Sequence, residues 1–385
     1  MESSFVYNKP VTGKYNIGRR QDATILSNFI DQGECICIYE PPKSGKRSLV
    51  QQTFFNMRVA SRKFVPVQIS LLNVRTIADV MMRLGGEVIK NLSRSPESYP
   101  NAVESFLSGT HFVFDPEAYS SKDQILSLTW DIDDADIQAI LMLPYHMAAV
   151  TGQKAIVVIE EFQNIMLTED GDKICAIMHG ILDKLSLEER KKCSYILMGS
   201  KVNAMKDIFE VRKLFYHKVE HLALSPIDTK DIIDHTVRGF LSSGKVLDRD
   251  LMLGVCKVFK GNIWYIQHFA SICDSLSKGY MMEPVLIEAL DMLISVHEPR
   301  FQATMNDLTT YQVCLLRAIL DGYTKFSSSE VIKRYNLNSS ANVRRLKDAL
   351  CKKEIITFDE KDEPHILDPL FEHWVRKFFF EIKGE

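Results

Sequence analysis

The sequence lacks long apolar runs, and its first residues lack the apolar stretch of a secretory signal. No uninterrupted run in its 385 residues approaches the roughly 18–20 apolar residues that a membrane-spanning helix needs. The first ten residues mix polar, charged and apolar side chains, which is not the pattern of a cleaved leader. We therefore expect a soluble, cytoplasmic protein with no membrane partner.

Paired cysteines and an excess of one charge are also missing. The eight cysteines are scattered, with no CxxC pair and no Cys–His spacing typical of zinc. We interpret them as reduced core thiols rather than as metal ligands or disulfides. The formal net charge of −3 argues against a surface that binds nucleic acid over its whole extent. A local basic face stays open.

Short apolar runs alternate with longer amphipathic stretches through the first 225 residues. The runs are rich in β-branched and aromatic residues, which is typical of buried strands. Strands that alternate with helices predict an α/β domain with a parallel sheet and crossover helices. Residues 93–133, rich in Pro and Ser, interrupt the alternation and are predicted to be an insertion with some structure of their own. The predicted strands are 35–39, 64–72, 155–159, 195–198 and 219–224.

The strand pattern ends near residue 225. Residues 226–298 are predicted to contain helices only. From residue 299 the order is three short helices, a hairpin and a closing helix, which is the order of a winged helix-turn-helix. The length also suits two or three domains. We therefore predict three domains over 1–225, 226–298 and 299–385.

The clearest phosphate-binding pattern lies between residues 40 and 48. It follows a predicted strand and opens an amphipathic helix, the setting in which a Walker A loop surrounds phosphate oxygens. Gly45 and Lys46 occupy the Gly-Lys positions, and Lys46 is the candidate charge on the phosphates. The candidate nucleotide-binding residues of this loop are Pro42, Lys43, Ser44, Gly45, Lys46, Arg47 and Ser48.

This loop departs from the Walker A motif at two positions. Glu40 stands where the first Gly is expected, and Arg47 stands where Ser or Thr binds Mg²⁺. Ser48 follows one residue late, and one residue turns a helical side chain by about 100°. Ser48 is the candidate Mg²⁺ ligand of the loop, but the shift favours nucleotide binding over efficient hydrolysis.

A second buried strand ends in two carboxylates, Glu160 and Glu161. A Walker B strand delivers an acid to Mg²⁺, and in one large class of NTPases the next residue is a Glu that activates water. Glu160 is the candidate Mg²⁺ ligand, one methylene longer than the usual Asp, and Glu161 the candidate catalytic base. Ser200, after a third strand, is a candidate contact for the γ-phosphate. The alternative is a pair of exposed acids at a strand end.

Taken in order, these motifs resemble the archaeal-type ATPase family of the AAA+/STAND P-loop proteins. Gly18-Arg19 resembles the family's box that helps to frame adenine, and Leu197–Ser200 resembles its sensor strand. Gly261–Tyr265 resembles a turn of its helical lid, and Pro369–Trp374 its closing segment. The resemblance covers nearly the whole chain. It implies ATP or ADP with Mg²⁺, a P-loop sheet, a helical lid and a C-terminal winged helix.

The family's Gly-Arg after the sensor strand falls near His217-Lys218 in this chain. An arginine finger contacts the γ-phosphate through two N–H groups, and Lys is a poor substitute. Together with Glu40, Arg47 and Glu160, this position brings to four the sites at which the chain departs from the family's catalytic motifs. The resemblance thus implies an ATP-binding protein with weak or residual hydrolysis that couples nucleotide state to a winged helix. The alternatives are a non-hydrolysing adaptor and a DNA-binding regulator.

The predicted third helix of the winged segment carries the candidate nucleic-acid residues Arg344, Arg345 and Lys347. Such a helix enters the major groove in DNA readers. Residues 300–385 hold 14 Lys and Arg against 13 Asp and Glu, a net charge of only +1, and the segment 359–363 is acidic. Duplex DNA and a protein partner stay equally open, and no pattern indicates an oligomeric state.

One acidic cluster, Asp131 to Asp136, has carboxylates at spacings found in calcium loops. It lacks the Gly and the distal Glu of an EF-hand. We interpret it as the N-cap and first turn of the helix that follows.

Overall fold

The computed structural model describes residues 4–93, 100–120 and 124–382. The chain forms two compact units. The first unit contains residues 1–19, 41–51 and 225–385, and the second contains residues 20–40 and 52–224.

The second unit is built on a five-stranded parallel sheet in the order β2-β5-β6-β1-β7. Every residue of β6 is buried, as expected for a central strand covered on both faces. Within the described residues, the strands of this unit, including the hairpin strands β3 and β4, are β1 (Ile36–Tyr39), β2 (Phe64–Ser70), β3 (Phe112–Phe114), β4 (Leu126–Leu128), β5 (Lys154–Glu160), β6 (Cys193–Gly199) and β7 (Glu220–His221).

Helices cover this sheet, and one of them, α2, begins in the first unit and continues into the second. In the part of the chain that the structure describes, these α-helices are α1 (Arg20–Gln32), α2 (Lys46–Val59), α3 (Ile77–Leu92), α4 (Pro100–Leu107), α5 (Asp134–Thr151), α6 (Gly171–Lys184), α7 (Leu187–Arg190) and α8 (Val202–Lys206). The predicted parallel α/β sheet is confirmed. The last predicted strand, 219–224, is shorter than expected, since only Glu220–His221 pair in the sheet. The helix α1 lies ahead of the first predicted strand and was not predicted.

The predicted insertion, residues 93–133, contains α4 and the antiparallel β3–β4 hairpin in its described part. Its residues 94–99 and 121–123 lie outside the described residues. Gly85 in α3 explains how closely this segment packs. A Cβ added there would lie 2.6 Å from Leu126 Cδ1 and 2.9 Å from Ile140 Cδ1, so a larger residue would push the hairpin and α5 away.

The first unit joins a helical segment to a winged helix through one apolar cluster that includes Phe269, Phe301 and Trp374. Its helices and strands are α9 (Thr229–Ser242), β8 (Val246–Leu247), α10 (Arg249–Val258), α11 (Ile263–Leu276), β9 (Tyr280–Met281), α12 (Glu283–Asn306), α13 (Thr310–Leu320), α14 (Ser329–Arg334), α15 (Ser340–Lys352), β10 (Ile356–Phe358), β11 (Pro364–Ile366) and α16 (Pro369–Trp374).

The predicted order of the winged helix-turn-helix is confirmed, with β10 and β11 forming the antiparallel wing. The prediction of helices only over 226–298 is wrong. β8 and β9 pair in parallel there, and strands of two residues are too short to leave a periodic pattern. Pro299 lies inside α12, so the helix runs through residue 299, where we placed a domain border. Among the described residues no helix has the length and apolarity to cross a membrane.

Candidate functional site

The loop between β1 and α2 has the backbone of a phosphate loop. Gly45 has a φ of +95°, a conformation that favours glycine, and its carbonyl accepts the Leu49 N–H at 2.9 Å. Lys43 also has a positive φ, of 68°. The loop then leads directly into the N-terminus of α2, where N–H groups without helical partners attract anions.

Lys46 folds back over this loop. It is only 9 % exposed, and its Nζ donates to the Pro41 carbonyl at 2.9 Å and to Ser44 Oγ at 3.4 Å. Arg19 reaches the same loop, donating to the Ser44 carbonyl at 3.1 Å and to the Ser225 carbonyl at 2.6 Å. The predicted residues Arg19, Ser44 and Lys46 therefore lie together. A phosphate oxygen would compete with these acceptors for the two cations.

Gly18 precedes this arginine with a φ of +62°, and a Cβ there would lie 2.9 Å from Ile227 Cγ2. Arg47 and Pro42, by contrast, are exposed. Ser48, the candidate Mg²⁺ ligand, accepts a hydrogen bond from the Val11 N–H at 3.2 Å. That bond occupies one of the two lone pairs of the hydroxyl, so one lone pair of Ser48 is left for another donor or an ion.

Lys43 points to an aromatic pair that the sequence motifs did not identify as part of the site. Its Nζ lies 3.6 Å from the ring centre of Trp264 and 5.2 Å from that of Tyr265. Burial, with the Arg300 guanidinium nearby, lowers the pKa of Lys43 to about 8. The Asn262 side chain at the start of α11 fixes both aromatic residues, because its Oδ1 accepts their N–H groups at 3.1 and 3.2 Å.

Asp368 connects this aromatic pair to the winged helix. The Tyr265 hydroxyl donates to its two carboxylate oxygens at 3.0 and 2.9 Å, and Arg300 donates to Asp368 Oδ2 at 2.7 Å. The same carboxylate caps α16 by accepting the N–H groups of Leu370 and Phe371 at 3.0 and 3.2 Å. The Asp368 carboxylate therefore accepts hydrogen bonds from α11, α12 and α16.

The acidic strand belongs to the second unit, where β6 separates β5 from β1. In the parallel register Glu160 stands beside Met198, and Tyr39 beside Gly199, so the three strands end at the same edge. Glu40, the unusual residue after β1, accepts the Leu224 N–H at 3.2 Å. Its carboxylate thus has a structural partner at the end of the sheet.

Glu161 is held by two donors. Its Oε2 accepts from Ser200 Oγ at 2.5 Å and from Gln163 Nε2 at 2.7 Å. Its backbone is left-handed, with a φ of +55°, and its Oε1 has no hydrogen-bond partner among the described residues. The predicted pair Glu161 and Ser200 is therefore in contact, and one carboxylate oxygen stays available.

Gln163 is a site residue that the sequence motifs did not predict. It is 4 % exposed, and Gly199 provides the space for it. A Cβ at Gly199 would lie 2.9 Å from Gln163 Oε1 and 2.3 Å from Met205 Cγ. The Gly-Ser pair that ends β6 therefore has a packing reason, in addition to any turn preference.

Lys218, at the position of the arginine finger, forms an ion pair with Asp183 at 2.5 Å. This hydrogen bond lowers the pKa of the Asp183 carboxyl. The Lys218 ammonium is thus held by a carboxylate of the same unit.

The basic face of α15 is smaller than the sequence predicts. Arg344 and Arg345 are exposed and have no partner among the described residues. Lys347 instead donates to both carboxylate oxygens of Asp362 in the wing at 2.8 Å, with its Nζ 4.0 Å from the Phe358 ring centre. The acidic wing therefore neutralises one of the three candidate nucleic-acid residues.

The acidic cluster before α5 is a helix cap, as predicted. Asp133 accepts the Asp136 N–H, and Asp136 accepts the Asp133 N–H, both at 2.9 Å. Asp136 also accepts from the N–H and Nδ1 of His111 at 2.8 and 2.9 Å. Its oxygens are filled by protein donors, which accounts for the cluster without a metal ion.

Together, the order of the sheet, the loop before α2 and the C-terminal domain define a P-loop ATPase fold with a winged helix. Residues 299–377 match a family model described as "Probable winged helix domain". Among solved structures, the chain is similar to a Walker-type ATPase of Pyrococcus abyssi, with 16 % identity, 97 % of this chain and 99 % of that chain covered, and a TM-score of 0.66.

It is also similar to the ORC2 protein of Aeropyrum pernix in its ADPNP–ADP complexes, with 12 % identity, 95 % and 93 % coverage and a TM-score of 0.57. A comparison with curated proteins finds no match. The chain therefore shares the fold of these structures, with a C-terminal winged helix, and the resemblance drawn from its motifs is confirmed at the level of the fold.

Proposed function

We propose that this protein binds ATP or ADP with Mg²⁺ through residues 42–48, hydrolyses ATP slowly, and couples nucleotide state to its winged helix. The observation that carries the proposal is the loop before α2. It joins a left-handed Gly45, a buried Lys46 and the start of a helix. Lys46 contacts acceptors of its own loop, and the phosphates of a nucleotide would replace them.

Glu161 is the base that we assign to hydrolysis. Two donors orient its Oε2, and its Oε1 remains free among the described residues to accept a proton from water. Glu160 and Ser48 are the residues that would hold Mg²⁺, which supplies charge neutralisation at the phosphates when bound. Ser200 positions Glu161, in addition to its predicted place near the γ-phosphate.

We expect slow turnover because residues that differ from the ATPase motifs are engaged in contacts within the protein. Arg47 replaces a hydroxyl that binds Mg²⁺, and Ser48 already accepts the Val11 N–H. Lys218 is paired with Asp183, and it lacks the two-pronged contact of an arginine finger. These features also support the second candidate, a nucleotide-bound adaptor that does not hydrolyse ATP. A steady-state assay of phosphate release separates the two.

The exposed Arg344 and Arg345 support a winged helix that contacts duplex DNA, and the acidic wing supports a protein partner instead.

The described cysteines are all free, and most are buried, which suits a reducing cytoplasm.

Nucleotide binding is tested by titrating a fluorescent ATP analogue into the full chain and its Lys46→Ala variant. We expect saturable binding by the wild type and at least tenfold weaker binding by the variant. Lys14→Ala is the matched control, because Gly13-Lys14 is a Gly-Lys pair on an exposed turn outside the loop. Equal affinities of the wild type and Lys46→Ala would refute the assignment.

A further inference from the structure

The contact between Lys43 and Trp264 links the phosphate loop to the lid. The ammonium lies 3.6 Å from the Trp264 ring centre, at the short end of the range in which cation–π attraction acts. Lys43 is half-buried, so the attraction is stronger than at a fully exposed site. With Lys46 bonded to Pro41 and Ser44, both loop lysines are held by protein groups.

Trp264 is a fixed platform. Its backbone N–H is held by the Asn262 cap, and its ring makes edge contacts with Tyr7 at 5.7 Å and His268 at 5.2 Å between ring centres. Tyr7 in turn stacks on His268 at 4.1 Å. An ordered ring of this kind can oppose the movement of a cation resting on its face.

Resting on the proposed nucleotide binding, we propose that Trp264 is a positioning residue of the phosphate loop. It holds the Lys43 ammonium on its ring face, and binding of ATP or ADP transfers this cation from the ring to the phosphates. A charge-assisted hydrogen bond to phosphate is stronger than a half-exposed cation–π contact, so the exchange is favourable. The nucleotide nevertheless has to break the Trp264 contact first.

This exchange would connect nucleotide binding to the winged helix through Asp368. Tyr265, beside Trp264, shares Asp368 with Arg300, and Asp368 caps α16. Lys43 is part of the charge balance of that group, because Arg300 and Asp368 both influence it electrostatically. When the ammonium moves towards phosphate, one positive charge leaves the surroundings of Asp368, whose hydrogen bonds to Arg300 and Tyr265 remain.

The first test measures ADP affinity by calorimetry in the full chain. Trp264→Leu should bind ADP about 3- to 30-fold more tightly than the wild type, the range expected when a cation–π contact no longer competes. Trp130→Leu is the matched control, because this tryptophan is 73 % exposed and belongs to the other unit. In a Lys43→Met background, Trp264→Leu should have no further effect.

The second test reads the contact directly. The chain has three tryptophans, so a Trp130→Phe, Trp374→Phe protein reports on Trp264 alone. Its emission should change when ADP is added. Lys43→Met in the same protein should give the ADP-bound emission without ADP and no further change with it. This comparison detects movement of the cation, which a purely structural role of Trp264 would not produce.

The outcomes separate the two proposals. If the wild type binds neither ADP nor the ATP analogue, nucleotide binding and the Trp264 role are both refuted. If it binds them but Trp264→Leu matches Trp130→Leu, or binds more weakly, only the role of Trp264 is refuted. An emission spectrum unaffected by both ADP and Lys43→Met would refute it as well, whether or not Trp264→Leu folds.

Discussion

At the scale of single residues, the proposed catalytic base Glu161 adopts a backbone conformation that is unfavourable for a non-glycine residue. A left-handed conformation of a non-glycine residue costs about 1–3 kcal/mol, yet Glu161 has a φ of +55°. The conformation turns its carboxylate towards Ser200 and Gln163, which hold Oε2. Gly199 leaves the room that Gln163 requires. Three residues at the ends of two adjacent strands, Gln163, Gly199 and Ser200, therefore support one carboxylate oxygen.

Replacing this carboxylate tests the catalytic assignment. Glu161→Gln keeps the shape and a hydrogen-bond acceptor but removes the base, so phosphate release should fall by about 100-fold or more. ADP affinity should stay within about twofold, because Glu161 does not hold the phosphates. Glu169→Gln, an exposed acid a few residues on, should change neither quantity. Unchanged turnover in Glu161→Gln would remove Glu161 from the mechanism.

The protonation of Lys43 gives a prediction about the pH dependence of its contact with Trp264. Its pKa of about 8 means that the ammonium is present below pH 8 and is lost above it. Its neighbours do not change charge in that range. Burial lowers the pKa of His268 and brings that of His297 to about 4, while burial raises the pKa of Tyr265. Arg300 stays charged, because Asp368 raises its pKa despite burial.

Emission of Trp264 in the Trp130→Phe, Trp374→Phe protein should therefore titrate with a midpoint near pH 8. Above the midpoint it should resemble that of Lys43→Met, because a neutral amine has little attraction to the ring. The same titration in Lys43→Met should be flat between pH 7 and 9. A midpoint that survives in Lys43→Met would assign the change to another group.

At the scale of elements, Asp136 joins the β3–β4 hairpin to α5. It is fully buried and accepts from Asp133 and twice from His111, the residue before β3. Burial alone would raise the pKa of Asp136, but the hydrogen bonds from Asp133 and His111 lower it. A group with a lowered folded-state pKa stabilises the fold above its ordinary pKa, and this contribution is lost as pH falls through the folded value.

Asp136→Ala should lower the free energy of unfolding by about 3 kcal/mol at pH 7, because three donors, the N–H groups of Asp133 and His111 and the Nδ1 of His111, lose a buried charged acceptor. Urea titration measures the effect. Asp134→Ala is the control, since that carboxylate is largely exposed and its ion pair with Lys173 is at the surface, so it should cost less than about 1 kcal/mol. Similar losses for the two variants would show that the cap is not the origin of the effect.

The sequence predicted elements best where their pattern is long. The predicted strands 155–159 and 195–198 lie inside β5 and β6, because continuous apolar runs of this length are typical of buried strands. β8 and β9 escaped prediction because two residues show no alternation. The candidate site shows the same difference between residues in a contiguous sequence pattern and residues brought together by folding. Gly45 and Lys46 belong to a contiguous motif, whereas the approach of Trp264 to Lys43 depends on tertiary packing that spacing along the chain does not encode.

At the scale of the whole molecule, charge is the property that limits its partners. The net charge is −3, so association with DNA would depend on a local surface rather than on a general field. Two exposed arginines on α15 offer such a surface. The wing opposes it, because Asp362 takes the ammonium of Lys347 and adds negative charge at the point where a wing approaches the phosphate backbone.

Salt dependence of duplex binding tests this balance. Each phosphate contact contributes about −0.9 to the slope of log affinity against log salt concentration. Arg344→Ala/Arg345→Ala should therefore reduce the magnitude of the slope by about 2. Lys347→Ala should leave it unchanged because its charge is already paired. Asp362→Ala should release Lys347, raise the affinity and steepen the slope by about 1. If duplex binding is absent, or if none of these variants alters it, a protein partner is the remaining interpretation of the winged helix.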